Sequence, residues 1–193
     1  EALAGYQPGA PYGLGLPHTG FFNAITHDPP PLKIAIDLSE PEVKIDPEVT
    51  EAVLKAAQLL ESLGHSVEEA APGINYVRLN EAQNTLVATS TTRWLNKVAR
   101  ARGHEITPEE LEPMTQMVRR EGSQYSGAEV TDALVSMQQF GLEMGQFHRR
   151  FDMILQPFAA TPAPPLGAIT FQEGDDLRRY TSRFKAVSAF THL

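Results

Sequence analysis

Residues 32–72 leave this chain few ways to fold. Val49, Ala52, Val53, Ala56, Leu59, Leu60 and Leu63 recur at intervals of three and four, which predicts a helix with one apolar stripe and a buried face. Asp46 can accept a hydrogen bond from the first free amides, Pro47 suits the first helical position, and Gly64 can take the left-handed conformation that stops the helix. Before the helix, Leu32, Ile34 and Ile36 alternate with Lys33 and Ala35; after it, residues 66–68 resume extended chain. The span 32–69 therefore reads as strand, helix, strand. A right-handed crossover between parallel strands follows, and the fold class is α/β.

The rest reads mostly as helix. Residues 75–102 place Val77, Ala82, Leu86, Val87, Trp94, Leu95 and Val98 on an apolar side, and Lys97, Arg100 and Arg102 near the negative helix end. The middle of this helix is polar and neutral, with Gln83, Asn84 and Thr85, then Thr89, Ser90, Thr91 and Thr92. These groups either line a pocket for an amide, since hydroxyls and amides both donate and accept, or face solvent. Thr107, Pro108 and Glu110 predict a capped helix start at 107, with the helix ending near Gly122. A long helix starts at Ser126 or Gly127 and closes on Arg149 and Arg150, with Met137 and Met144 as core fillers. Its Gly141 and Gly145, four apart, are candidates for close helix contact. Residues 151–157 read as a short buried strand, residues 159–167 as a rigid loop of small residues, and residues 175–193 as a broken or helical segment.

Residues 7–31, rich in proline, glycine and aromatics, read as a surface-lying arm that ends in the stiff triplet Pro29, Pro30 and Pro31. This gives a connecting arm at 1–31 and a main body at 32–193. Gly13 and Gly15 follow no strand and open no helix, so a phosphate-binding loop is not read there.

Composition narrows the function. A net charge of -8 disfavours nucleic acid and anionic membranes as partners, because phosphate binding needs clustered cations, and a small-molecule substrate is expected instead. No run of apolar residues is long enough to span a bilayer. The absence of cysteine excludes disulfides and thiolate-bound metals and fits a reducing compartment, so a cytoplasmic location is expected.

Reactive chemistry is sparse. His18, His27, His65, His104, His148 and His192 share no zinc-site spacing, and no metal or other cofactor is expected. His148 and Asp152 stand four apart, either as a base with its orienting carboxylate or as a helix-end histidine facing the dipole. Ser136, Ser182 and Ser188 have no base at fixed distance and no Gly-x-Ser-x-Gly elbow. Glu68 and Glu69 read as a solvated strand-end pair.

Several blocks in order carry a family likeness: residues 4–12 (AGYQPGAPY), 45–72 (IDPEVTEAVLKAAQLLESLGHSVEEAAP), 106–113 (ITPEELEP), 151–157 (FDMILQP) and 164–167 (PPLG). Together they resemble the C-terminal half of amidase-signature enzymes, serine hydrolases that cleave carboxamides with a Ser-Ser-Lys triad. The branch that opens cyclic dimers of 6-aminohexanoate is among those resembled. The resemblance implies a central mixed sheet covered by helices, with residues 32–193 as the C-terminal part of such a domain. It implies that the chain is cut at both ends, that the lysine and both serines lie upstream of Glu1, and that this segment alone is inactive. It implies a small amide substrate and a homodimer, and it makes Ser188, Thr191 and His192 candidate lining residues for the acyl pocket. Gln156 stands where relatives usually have Thr. Two other readings are kept: the glutaminase-type A subunit of a tRNA-dependent amidotransferase, and a non-catalytic α/β module that holds a small ligand.

Overall fold

The structure, a computed structural model, describes residues 5–10, 20–39, 43–172 and 174–191. It divides into two units, Glu1–Leu32 and Lys33–Leu193. In the first, Phe21–Ala24 makes one helical turn, α1, after Gly20 with φ 70°. Gly13 and Gly15, and the start of the chain at 1–4, lie outside the described residues.

The second unit is built around Lys33–Ile36, which is β1. It lies between Ser66–Glu69, β2, and Met153–Leu155, β3, in the order β2-β1-β3. Both pairings are parallel, in the register Lys33↔Ser66 and Ile36↔Leu155. The antiparallel partner that a mixed sheet would add is not among the described residues. The alternation read at 32–36 gives way to burial on both faces, since Ile34, Ala35 and Ile36 are all buried, as a middle parallel strand requires. Ile36 packs on Val53 and Ala57 of the crossover helix Pro47–Ser62, α2, while Ala35 packs on Phe147 and Phe151 on the other face.

The crossover helix has the predicted ends. Asp46 Oδ1 accepts from the Glu48 amide at 2.8 Å, and Gly64 has φ 94°. Its buried face is narrower than the stripe read from sequence, because Leu59 and Leu63 are 60% and 65% exposed and Ala52 is also exposed. Sheet contact is made by Val53 and Ala57, with Val49, Ala56 and Leu60 half-buried.

Tyr76–Arg102, α3, is the axis of the helical layer, capped by Asn75 and by the left-handed Gly103. Here the sequence reading is corrected: Val77, Val87 and Trp94 are more than half exposed, and Leu79, Ala82, Ala88, Leu95 and Ala99 are buried. The predicted single helix after Thr107 splits into a 3-10 turn, Pro108–Glu110, and a helix, Pro113–Gly122, α4. Pro113 is the cause, since the residue before a proline is driven out of the helical region, and Glu112 has ψ 149°. Gly127–Phe147, α5, starts with a reciprocal cap: Ser126 Oγ accepts from the Glu129 amide, and the Ser126 amide donates to Glu129 Oε2 at 2.7 Å. Met137 and Met144 pack against the Ile74, Leu79 and Phe140 cluster, as expected of core fillers. A side chain at Gly141 or Gly145 would meet open space. The close-contact glycine is Gly122, where an added Cβ would lie 2.1 Å from the Ala88 carbonyl oxygen.

Candidate functional site

In an open parallel sheet, ligands are met beyond the carboxyl ends of the strands, where successive crossovers leave in opposite directions. The order β2-β1-β3 puts that point between β1 and β3. The Asp37 amide donates to the Leu155 carbonyl at 3.0 Å, so the pairing runs to the end of both strands and sets Asp37 and Gln156 at the rim.

Asp37 is 2% exposed. Its Oδ1 accepts from the Ser39 amide at 2.9 Å and the Ser39 hydroxyl at 2.6 Å, a local turn that starts the loop toward α2. Its Oδ2 is buried and accepts no hydrogen bond from the described residues. Gln156 repeats the pattern on the next strand, with Nε2 donating to the Phe190 carbonyl at 2.8 Å and Oε1 buried without a donor among the described residues. Each rim side chain has one end spent on the fold and one oxygen uncommitted. A buried acceptor left without a donor costs about 1–3 kcal/mol.

Two further loops close around this rim. The Asp46 amide donates to the Ala160 carbonyl at 2.7 Å, which joins the cap of α2 to the loop after β3. Ala160, Ala189 and Phe190 are buried together, with Val43 and Ile45 against them. The turn at 188–191 follows Leu177–Phe184, α6, and a 3-10 turn, Lys185–Val187. Arg183, in the last turn of α6, donates to both carboxylate oxygens of Asp175 ahead of the helix, and this guanidinium holds the Asp175 carboxyl below the usual carboxylate range.

Of the sequence-predicted lining residues, Ser188 and Thr191 sit in the turn that Gln156 ties to β3. Ser188 is half-buried, and its carbonyl accepts from both the Thr191 amide at 3.1 Å and the Thr191 hydroxyl at 2.9 Å. His192 lies outside the described residues. The polar middle of α3 turns largely on its own backbone: Thr85 and Thr89 donate to carbonyls one turn back, and the Thr92 hydroxyl lies between the Ala88 and Arg119 carbonyls at 3.0 and 3.1 Å. His148 is the C-cap of α5, with Nδ1 3.1 Å from the Phe151 carbonyl oxygen, while Asp152 accepts from the Lys33 amide at 2.8 Å. Base and carboxylate are thus engaged separately. Among the described residues, no group of three His, Cys, Asp or Glu side chains could hold a metal ion. Nor is any described helix long and apolar enough to cross a membrane.

Periodicity does not single out Asp37, which reads as the start of a polar loop. The usable signal is its place, directly after a strand with a parallel partner and two residues before a serine.

Comparison with known proteins bears on what this rim belongs to. The A subunit of glutamyl-tRNA(Gln) amidotransferase from Lachnospira eligens is 28% identical over 217 residues, covering 97% of this chain and 42% of its own length. The 6-aminohexanoate-cyclic-dimer hydrolase of Paenarthrobacter ureafaciens is 19% identical over 188 residues, covering 95% of this chain and 38% of its own length. A solved structure of 6-aminohexanoate cyclic dimer hydrolase with substrate superposes with a TM-score of 0.85 at 21% identity, over 97% of this chain and 41% of that one. A bacterial aryl acylamidase superposes with a TM-score of 0.59 at 18% identity, over 81% of this chain and 35% of that one. At such identities these likenesses show the fold, and the chain spans about two fifths of the length of the curated relatives it matches. The family-wide sequence profile described as Amidase matches residues 1–191, and the chain belongs to that family.

Proposed function

We propose that this chain is the C-terminal part of an enzyme that hydrolyses carboxamide bonds of small, non-peptide substrates. The observation that carries this reading is the Amidase match over residues 1–191 in a chain spanning about two fifths of its relatives. In this reading the reactive groups lie on polypeptide upstream of Glu1. A lysine amine takes a proton through a bridging serine, and the second serine attacks the amide carbonyl. Backbone amides hold the oxyanion, the amine leaves with a proton, and water then releases the acyl group and restores the serine. The present chain contributes the sheet, its covering helices and one wall of the pocket, with Ser188, Thr191 and His192 lining it. A cytoplasmic homodimer acting without cofactor, nucleic acid or membrane is part of the same proposal.

The test is an assay of the purified chain with a simple aryl amide, the cyclic 6-aminohexanoate dimer and glutamine. No turnover is expected from the chain alone. Turnover by this segment would place the nucleophile within it and overturn the assignment of the triad. The coding sequence upstream of Glu1 gives a second check: a lysine followed by a Gly/Ser-rich segment with paired serines is expected, and its absence would favour a non-catalytic ligand-binding module.

A second reading, the glutaminase-type subunit of an amidotransferase, draws support from the 28% identity to the Lachnospira protein. The two diverge in substrate. An enzyme carrying this chain with its upstream part should open the cyclic dimer under the first reading and deamidate glutamine under the second.

A further inference from the structure

Opposite the rim, at the amino ends of the strands, Lys33, Ser66, Glu68, Arg149, Arg150 and Phe151 line a cleft of about 450 Å³. Three of these are cations, in a chain whose net charge is -8. Lys33 opens β1, and the two arginines follow α5.

The charges are poorly matched within the fold. Arg150 Nη2 stands 3.9 Å from Glu68 Oε1, at the outer limit of an ion pair, and these side chains are 69% and 65% exposed. Lys33 and Arg149 make no ion pair with the described residues. Asp152, the other nearby carboxylate, is committed to the Lys33 backbone amide. The backbone that carries the cations is nonetheless fixed. The Asp152 amide donates to the Lys33 carbonyl at 2.8 Å, and the Arg149 and Arg150 amides donate to the Gln146 and Phe147 carbonyls at 3.3 and 3.0 Å. The Arg150 guanidinium also lies 5.2 Å from the centre of the buried Phe151 ring, which limits its orientations.

We propose that this cleft binds a small, doubly charged oxyanion of the phosphate type. Two guanidinium groups and an ammonium lining one cleft match such an ion in charge and in the kind of donor they offer, and the Ser66 hydroxyl can add a further donor. A small ion fits better than an extended anionic surface, which would bring further negative charge within the Debye length of about 10 Å of the chain's acidic groups, where repulsion is not yet screened. Offsetting the negative end of α5 explains the arginines alone and leaves Lys33 without a role.

The test is titration of the chain with inorganic phosphate, followed by backbone NMR, with sulfate and chloride at matched ionic strength. Saturable shifts at residues 33, 66 and 149–151 are expected with phosphate and sulfate, and none that saturate with chloride. Replacing both arginines (Arg149→Gln with Arg150→Gln) should weaken binding about tenfold or more, equivalent to loss of at least one charge-assisted contact. Glu68→Gln should strengthen it, a gain that a misfolded variant cannot imitate. Shifts that do not saturate, or saturable binding unaltered by both the arginine pair and Glu68→Gln, would overturn the proposal.

Discussion

Gln156 fastens the turn at 188–191 to the end of β3, its Nε2 donating to the Phe190 carbonyl at 2.8 Å. One side chain therefore links the sheet to residues far along the chain. The candidate pocket wall depends on it.

Gln156→Leu removes that donor and leaves the Phe190 carbonyl without its partner. The expected loss of stability is about 1–3 kcal/mol. Amide hydrogen exchange should rise most at residues 188–191. Gln156→Thr, too short to reach Phe190, should behave the same way in urea denaturation and in exchange, and full protection in either variant would show that the turn is held by packing alone.

Gly122→Ala reverses a familiar expectation. Helix propensity alone predicts a gain of about 1 kcal/mol from alanine. The new methyl would lie 2.1 Å from the Ala88 carbonyl oxygen and 2.4 Å from Thr92 Oγ1, so α3 and α4 must separate. A net loss of about 1–3 kcal/mol in urea denaturation is expected, as for other overpacked cores. A neutral or stabilised variant would mean that the two helices pack less closely.

At Asp37, two substitutions separate the spent oxygen from the uncommitted one. Asp37→Ala removes the acceptor for both the Ser39 amide and hydroxyl, with an expected cost of about 1–3 kcal/mol. Asp37→Asn keeps one acceptor oxygen and should cost clearly less. Equal losses in a denaturation series would show that Oδ2 also carries a necessary bond.

Glu129 supplies a pH signature. Hydrogen bonds from the Ser126 amide, and then from the Ser126 hydroxyl, hold its carboxyl below the ordinary value of 4.5. A carboxylate with a lowered native pKa adds stability above its unfolded value, and loses it as pH falls through the native one. Glu129→Gln should therefore lower the Tm at neutral pH, and its difference from the native chain should shrink as pH drops below 4.5. A difference that does not vary with pH would rule out the capping carboxylate as its source.

What the sequence discloses follows from range. Asp46 with Pro47, Gly64, and Ser126 act on backbone within a few residues, so both ends of α2 and the start of α5 can be read directly. Which side of a helix is buried depends on neighbours that no local pattern names. α2 and α3 carry more apolar residues than one face holds, and periodicity alone therefore assigns Leu59, Val87 and Trp94 to the core. The small residues Ala88 and Gly122 decide instead how closely α3 and α4 approach. At the site, the candidate turn at 188–191 comes from family likeness, while Asp37 emerges only once strand order has placed it at the rim.

The outer sides of β2 and β3 have no strand partner among the described residues. They differ in how they meet another molecule. β2 carries Glu68 and Glu69, whose like charges discourage two copies from joining side by side. β3 reads Met-Ile-Leu, with Met153 55% exposed and no charge to guard it. At high concentration, self-association of the isolated chain should begin at β3, and a lysine placed at Met153 would be the gatekeeper that natural sheets use to stay soluble.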